Sequence, residues 1–180
     1  MDFDLLVGKT APFLGFGEVI PDATQIEWQF HKSANQIRRQ VRNVFGVRLD
    51  SASTTPKELD DIVQELHESG WSSKTGNVEL FTCDLGLLLA EATLELLGGR
   101  LIFRSPSNVV HCSIFYADQG VEAFPFHKAL KCLTQEDGET MTFFVIGLGQ
   151  VLQEQGLQMT DETKGRLPKA RFSAIENRRP

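Results

Sequence analysis

Between Asn77 and Leu101 the chain runs NVELFTCDLGLLLAEATLELLGGRL, and this stretch decides the fold. On a helical wheel Leu80, Phe81, Leu85, Leu87, Leu88, Leu89, Ala90, Ala92, Leu94, Leu96 and Leu97 spread to every side. A helix without a wide polar face is usually buried inside its fold. Asp84, Glu91 and Glu95 interrupt the apolar run, so the reading is a central helix rather than a membrane span. Gly98 and Gly99 end it.

Downstream the period changes from helical to alternating. Arg100–Arg104 and Val109–Tyr116 are rich in β-formers and are joined by Ser105, Pro106, Ser107 and Asn108, which predicts an antiparallel hairpin. Val110, Cys112, Ile114 and Tyr116 share one face of its second strand; Val109, His111, Ser113 and Phe115 share the other. Asp118, Gln119 and Gly120 make a turn, and Val121–Phe124 adds a short third strand. Pro125 opens a helix to Leu133 with Phe126, Ala129, Leu130 and Leu133 inward. Over Met141–Gln155, Phe143–Ile146 is locally β-like, but Phe144, Leu148, Val151 and Leu152 keep helical spacing and predict a last helix.

Upstream, Thr55, Pro56 and Glu58 spell a capped helix start, and Leu59, Ile62, Val63 and Leu66 form its apolar stripe up to Gly70. An earlier helix is expected over 22–45, with Ile26, Phe30, Ala34, Ile37 and Val41 inward and Lys32, Arg38, Arg39 and Arg42 on its polar side. Residues 1–23 read as an irregular lead-in with an extended piece at 4–7. The fold expected is α+β: a small antiparallel sheet of two to three strands packed by about five helices. One domain spans 1–155, built around 77–155, and a mobile basic tail covers 156–180.

The 180 residues are 41% hydrophobic and 23% charged, ordinary globular usage that excludes a disordered or collagen-like chain. Net charge is −6, unevenly placed: Lys164–Pro180 holds six basic residues and one acid, leaving 12 basic against 23 acidic residues upstream. Such a body disfavours nucleic acid and anionic membranes and favours a basic partner. Three cysteines, Cys83, Cys112 and Cys132, with no close pair fit a reducing cytoplasm, and the acidic N-terminus lacks the basic start of a signal peptide.

Gly8, Lys9 and Thr10 resemble the end of a phosphate-binding loop, but Phe3 stands where its first glycine belongs. Gly15 with Gly17 and Gly147 with Gly149 each lack the third glycine of a dinucleotide fingerprint. No cofactor motif is present, and the four histidines have no metal-ligand spacing. Two constellations remain as catalytic candidates. Asp84 and Glu91 lie seven residues apart on one side of the central helix, where paired carboxylates divide acid and base work. The structural alternative has Asp84 favoured by the helix dipole and Glu91 meeting an arginine such as Arg100 or Arg104. Cys112 would need a histidine base; His111 points to the opposite strand face, leaving His127. The structural alternative is a core cysteine.

The run Leu85, Gly86, Leu87, Leu88, Leu89, Ala90, Glu91, then Gly98, Gly99, Arg100, Leu101, the strand Cys112–Tyr116, and Phe124, Pro125, Phe126, His127, Lys128 resembles an uncharacterised bacterial domain family. The resemblance spans about residues 80–152; Ala90 stands where the family tends to have glycine and Leu101 where it tends to have tryptophan. It implies no chemistry. Similar small acidic proteins accompany bacterial toxins, so an immunity-like or accessory role is what it implies.

The favoured function is thus a non-enzymatic cytoplasmic protein that presents Asp60, Asp61, Glu65 and Glu68 to another protein, possessing neither metal nor cofactor. The alternative is a small hydrolase using Glu91 and Asp84, or Cys112 and His127.

Overall fold

The computed structural model describes residues 34, 35, 37–39, 54–70, 77–102, 112–134 and 138–158. The expected lead-in, the ends of the first helix, the hairpin turn, the start of its second strand and the tail beyond 158 lie outside these residues.

Helix α1 (Pro56–Glu68) begins where the sequence places it. The Thr55 hydroxyl accepts from the Glu58 amide while the Glu58 carboxylate accepts from the Thr55 amide, a complete capping box with Pro56 in the first turn. Its stripe of Leu59, Ile62, Val63 and Leu66 is buried. Helix α2 (Asn77–Leu97) has the bounds read from the sequence, and Leu85, Leu87, Leu88, Leu89 and Ala90 are all buried. Burial on every side makes it the axis of the fold. An earlier helical segment contributes Ala34, Asn35, Ile37, Arg38 and Arg39; Ala34 and Ile37 face the core.

Strands β1 (Arg100–Ile102), β2 (Ser113–Tyr116) and β3 (Val121–Ala123) form an antiparallel sheet in the order β1-β2-β3. Leu101 pairs with Ile114, and Ile114 pairs with Ala123. Cys112, Ile114 and Tyr116 share the buried face, as their alternation requires. Gly99 has φ +96°, and a Cβ there would fall 2.7 Å from Ile114 Cγ2, so glycine lets the chain cross from α2 to β1 against that face.

Helix α3 (Pro125–Leu133) turns Phe126, Ala129, Leu130 and Leu133 inward. Its closest partner is α2. The approach is so tight that a Cβ on Gly86 would sit 2.5 Å from the Phe126 ring and 2.9 Å from Phe126 Cα. Helix α4 (Met141–Glu154) is capped by the Thr140 hydroxyl. Its buried stripe is Met141, Val145, Leu148 and Leu152, rotated from the expected one. Val151 is 43% exposed and Phe144 half-buried. The fold is therefore α+β: a three-stranded antiparallel sheet packed with helices, five among the described residues counting the segment at 34–39.

Candidate functional site

Glu91 is buried on α2, and its partner is Arg38 of the early helical segment. Arg100, one of the two partners expected, is exposed; Arg104, the other, lies outside the described residues. The Arg38 guanidinium also donates through Nε to Thr54 Oγ1 (2.9 Å) and through Nη1 to Asn35 Oδ1 (3.0 Å). Arg38 was expected on a polar face; it is instead 6% exposed, because three acceptors from three parts of the chain satisfy its fork. This arrangement ties the segment at 34–39, the lead into α1 and the axis α2 together.

Asp84 stands two turns before Glu91, about 10 Å along the helix axis. Burial lifts its carboxyl from the ordinary 3.8 to about 6, and no hydrogen bond or charge among the described residues offsets this. Glu91 is engaged by Arg38, so the structure brings Glu91 to a guanidinium rather than to Asp84.

Cys112 is fully buried in the core, and burial pushes its thiol far up, opposite to what a nucleophile needs. His127 lies on α3, half-buried, its ring stacked on Phe124 with centroids 5.5 Å apart. It lines a surface groove to which Cys112 does not contribute.

Of the four acids expected to form an interaction face, Asp61, Glu65 and Glu68 are exposed on α1. Asp61 accepts from Lys57 and Glu68 from Gln64, both one helical turn away. Asp60 has a different task. Its Oδ1 accepts from the Met141 amide (2.6 Å) and its Oδ2 from the Thr142 amide (3.1 Å), so it caps α4 from another helix. Next to that junction, His67 Nε2 lies 3.1 Å from the Cys132 carbonyl and links α1 to α3.

The sequence reading missed a groove of about 530 Å³ between β3, α3 and α4. Val121, Ala123, Phe124, Phe144, Leu148 and Val151 supply apolar walls. Its polar lining is Glu122, His127, Lys128, Lys131 and Glu139. Lys128 is 7% exposed and ion-paired with Glu139. Burial pulls its ammonium below the ordinary lysine range. The pairing of Lys128 with Lys131, one turn apart on α3, was the signal available in the sequence. Among the described residues, no group of three or more His, Cys, Asp or Glu side chains is placed to hold a metal ion, and no helix is long and apolar enough to cross a membrane.

Comparison with protein-family models, curated proteins and solved structures finds no match for this chain.

Proposed function

We propose that the chain is a protein-binding accessory module without a reaction of its own, and that a basic partner meets the acidic face of α1. The observation that carries this reading is the stripe of Asp61, Glu65 and Glu68, exposed on a helix whose opposite face is locked into the core. Acids held on a rigid element keep their geometry and steer an oppositely charged partner. The candidate catalytic groups point the same way: Glu91 is occupied by Arg38, and Cys112 is buried with its thiol pushed up. The three cysteines are free and buried, which supports a reducing cytoplasmic setting. An immunity-like role, in which a basic toxin surface is covered, is the form of this reading suggested by the resemblance over 80–152.

The hydrolase reading draws on Asp84 alone, whose carboxyl near pKa 6 suits proton transfer close to neutral pH.

A photo-crosslinking residue at Gln64, on the exposed side of α1, tests the favoured reading in native lysate. One partner should be captured from wild type at low salt, and the yield should fall at high salt and with Asp61→Lys plus Glu65→Lys. Equal capture by wild type and double variant at both salts refutes the acidic face as the interface.

A further inference from the structure

We propose that the groove between β3, α3 and α4 takes an extended, uncharged peptide segment of a partner protein, which joins the sheet as a strand antiparallel to β3. The segment bonds to the β3 backbone and lays alternate apolar side chains against Phe144, Leu148 and Val151. This site is separate from the acidic face of α1 and independent of the reading proposed for that face.

The backbone of β3 carries the inference. Among the described residues β3 is an edge strand whose one neighbour is β2. Side chains along a strand alternate between faces, so a cavity on one face touches every second residue. Val121, Glu122, Ala123 and Phe124 all line the groove, which places it along the edge of the strand. The ladder shows which backbone groups look into it. The Gly120 amide donates to the Ala117 carbonyl (3.3 Å), and this pair follows Tyr116 and Val121 in the same register. Antiparallel pairs alternate between bonded and non-bonded, so Phe115 and Glu122 bond next, while Val121 and Ala123 turn their N–H and C=O groups away from β2. Those groups have no hydrogen-bond partner among the described residues. Ala123 is 4% exposed, and backbone groups held in so dry a place without a partner are costly. An added strand supplies the partner.

Charge and packing narrow the occupant. The polar lining is balanced, Lys128 and Lys131 against Glu122 and Glu139, so it selects neither an anion nor a cation. A second copy is disfavoured. Pairing β3 with itself about a two-fold axis at its centre sets Glu122 opposite Glu122, and like charges directly opposite are destabilising. A neutral strand avoids that clash. Val121 and Ala123 share the core-facing side of the sheet with their partners Tyr116 and Ile114, so peptide side chains beside them turn to the apolar wall of α4. Phe124 and Val151, 36% and 43% exposed, form the apolar rim those side chains cover.

Titration of the isotope-labelled full chain with acetyl-Thr-Val-Thr-Val-Thr-amide, followed by amide NMR shifts, tests the site. Saturable shifts should appear at residues 121–124 and 144–151, with a Kd of about 1 mM or tighter. In the added strand the valines lie beside Val121 and Ala123 and aim their N–H groups at β3, while the central threonine aims its own away. N-methylation of the second valine should therefore weaken binding at least about tenfold, and N-methylation of the central threonine should leave it within about twofold. Val151→Glu should abolish binding; Phe143→Glu, exposed but outside the groove, should retain it. Dispersion of the amide spectrum checks that both variants stay folded. No saturable shift, equal effects of the two N-methyl groups, shifts that bypass residues 121–124, or pairing of β3 with a second copy in the absence of peptide each overturns the proposal.

Discussion

Two acids on one helix, Asp84 half-buried and Glu91 buried, carry opposite energetics. Asp84 is desolvated without a compensating partner among the described residues, and its folded pKa rises from 3.8 to about 6. A carboxyl whose folded pKa is raised binds its proton more tightly in the native state. Its contribution is fully favourable below about pH 4 and is lost as pH rises through 6. At 1.36 kcal/mol per unit the loss above pH 7 is about 3 kcal/mol. Asp84→Asn should therefore raise stability by up to about 3 kcal/mol at pH 8 and change it little at pH 3.5. Urea unfolding at the two pH values measures the difference, and an equal effect at both would refute it. Glu91 is the reverse case, because Arg38 compensates it. Glu91→Ala should cost about 3–5 kcal/mol by stranding the buried guanidinium. Joint replacement by Arg38→Met and Glu91→Leu should recover most of that loss. A double variant no more stable than Glu91→Ala would show that the pair does not act as a unit.

Element boundaries were legible wherever one local rule suffices. Thr55, Pro56 and Glu58 mark the start of α1 by themselves, and the change from the all-round apolar run of α2 to alternation after Gly99 separates helix from sheet. What local spacing does not carry is a partner far along the chain. Arg38 meets Glu91 across 53 positions and Asp60 reaches Met141 across 81, so an arginine and an aspartate that look solvated on their own helices are structural. The groove was hidden for the same reason, since three elements build it and the face of α4 that borders it looked like core. Asp60→Ala should leave the Thr140 cap in place but remove the acceptors of the Met141 and Thr142 amides, costing about 1–2 kcal/mol with earlier exchange at those two amides. Exchange unchanged at those two amides would argue that other groups satisfy them. Gly86→Ala drives a methyl into the Phe126 ring and its Cα, the latter part of the backbone. Overpacking of this kind costs about 1–3 kcal/mol. Phe126→Leu should not rescue it, because the clash with Cα stays; full rescue would locate the constraint in the ring alone.

At the scale of the whole molecule the parts hang on α2. The axis packs most closely on α3, meets α1 and α4, runs directly into β1 through Gly98 and Gly99, and receives Arg38 on its side. Local openings that leave other packing intact are available to α4, with Phe143 61% exposed and Val151 at the surface. No such opening is available to Leu85–Ala90, since exposing them separates every helix that packs on the axis. Local stability follows burial, from near zero at frayed ends to the global value in the core. Native-state hydrogen exchange should thus show the amides of Leu87, Leu88 and Leu89 exchanging only by global unfolding, with free energies equal to the urea value. Amides in the last turn of α4, at Val151 to Glu154, should exchange by cheaper local openings. The Arg38 to Glu91 pair makes the contrast sharper: in Glu91→Ala the protection of Leu87 to Leu89 should fall by the same free energy as the global stability, while that of Val151 to Glu154 stays as in wild type. Slower exchange at the end of α4 than along Leu87 to Leu89 would place the stability centre elsewhere and overturn α2 as the axis of the fold.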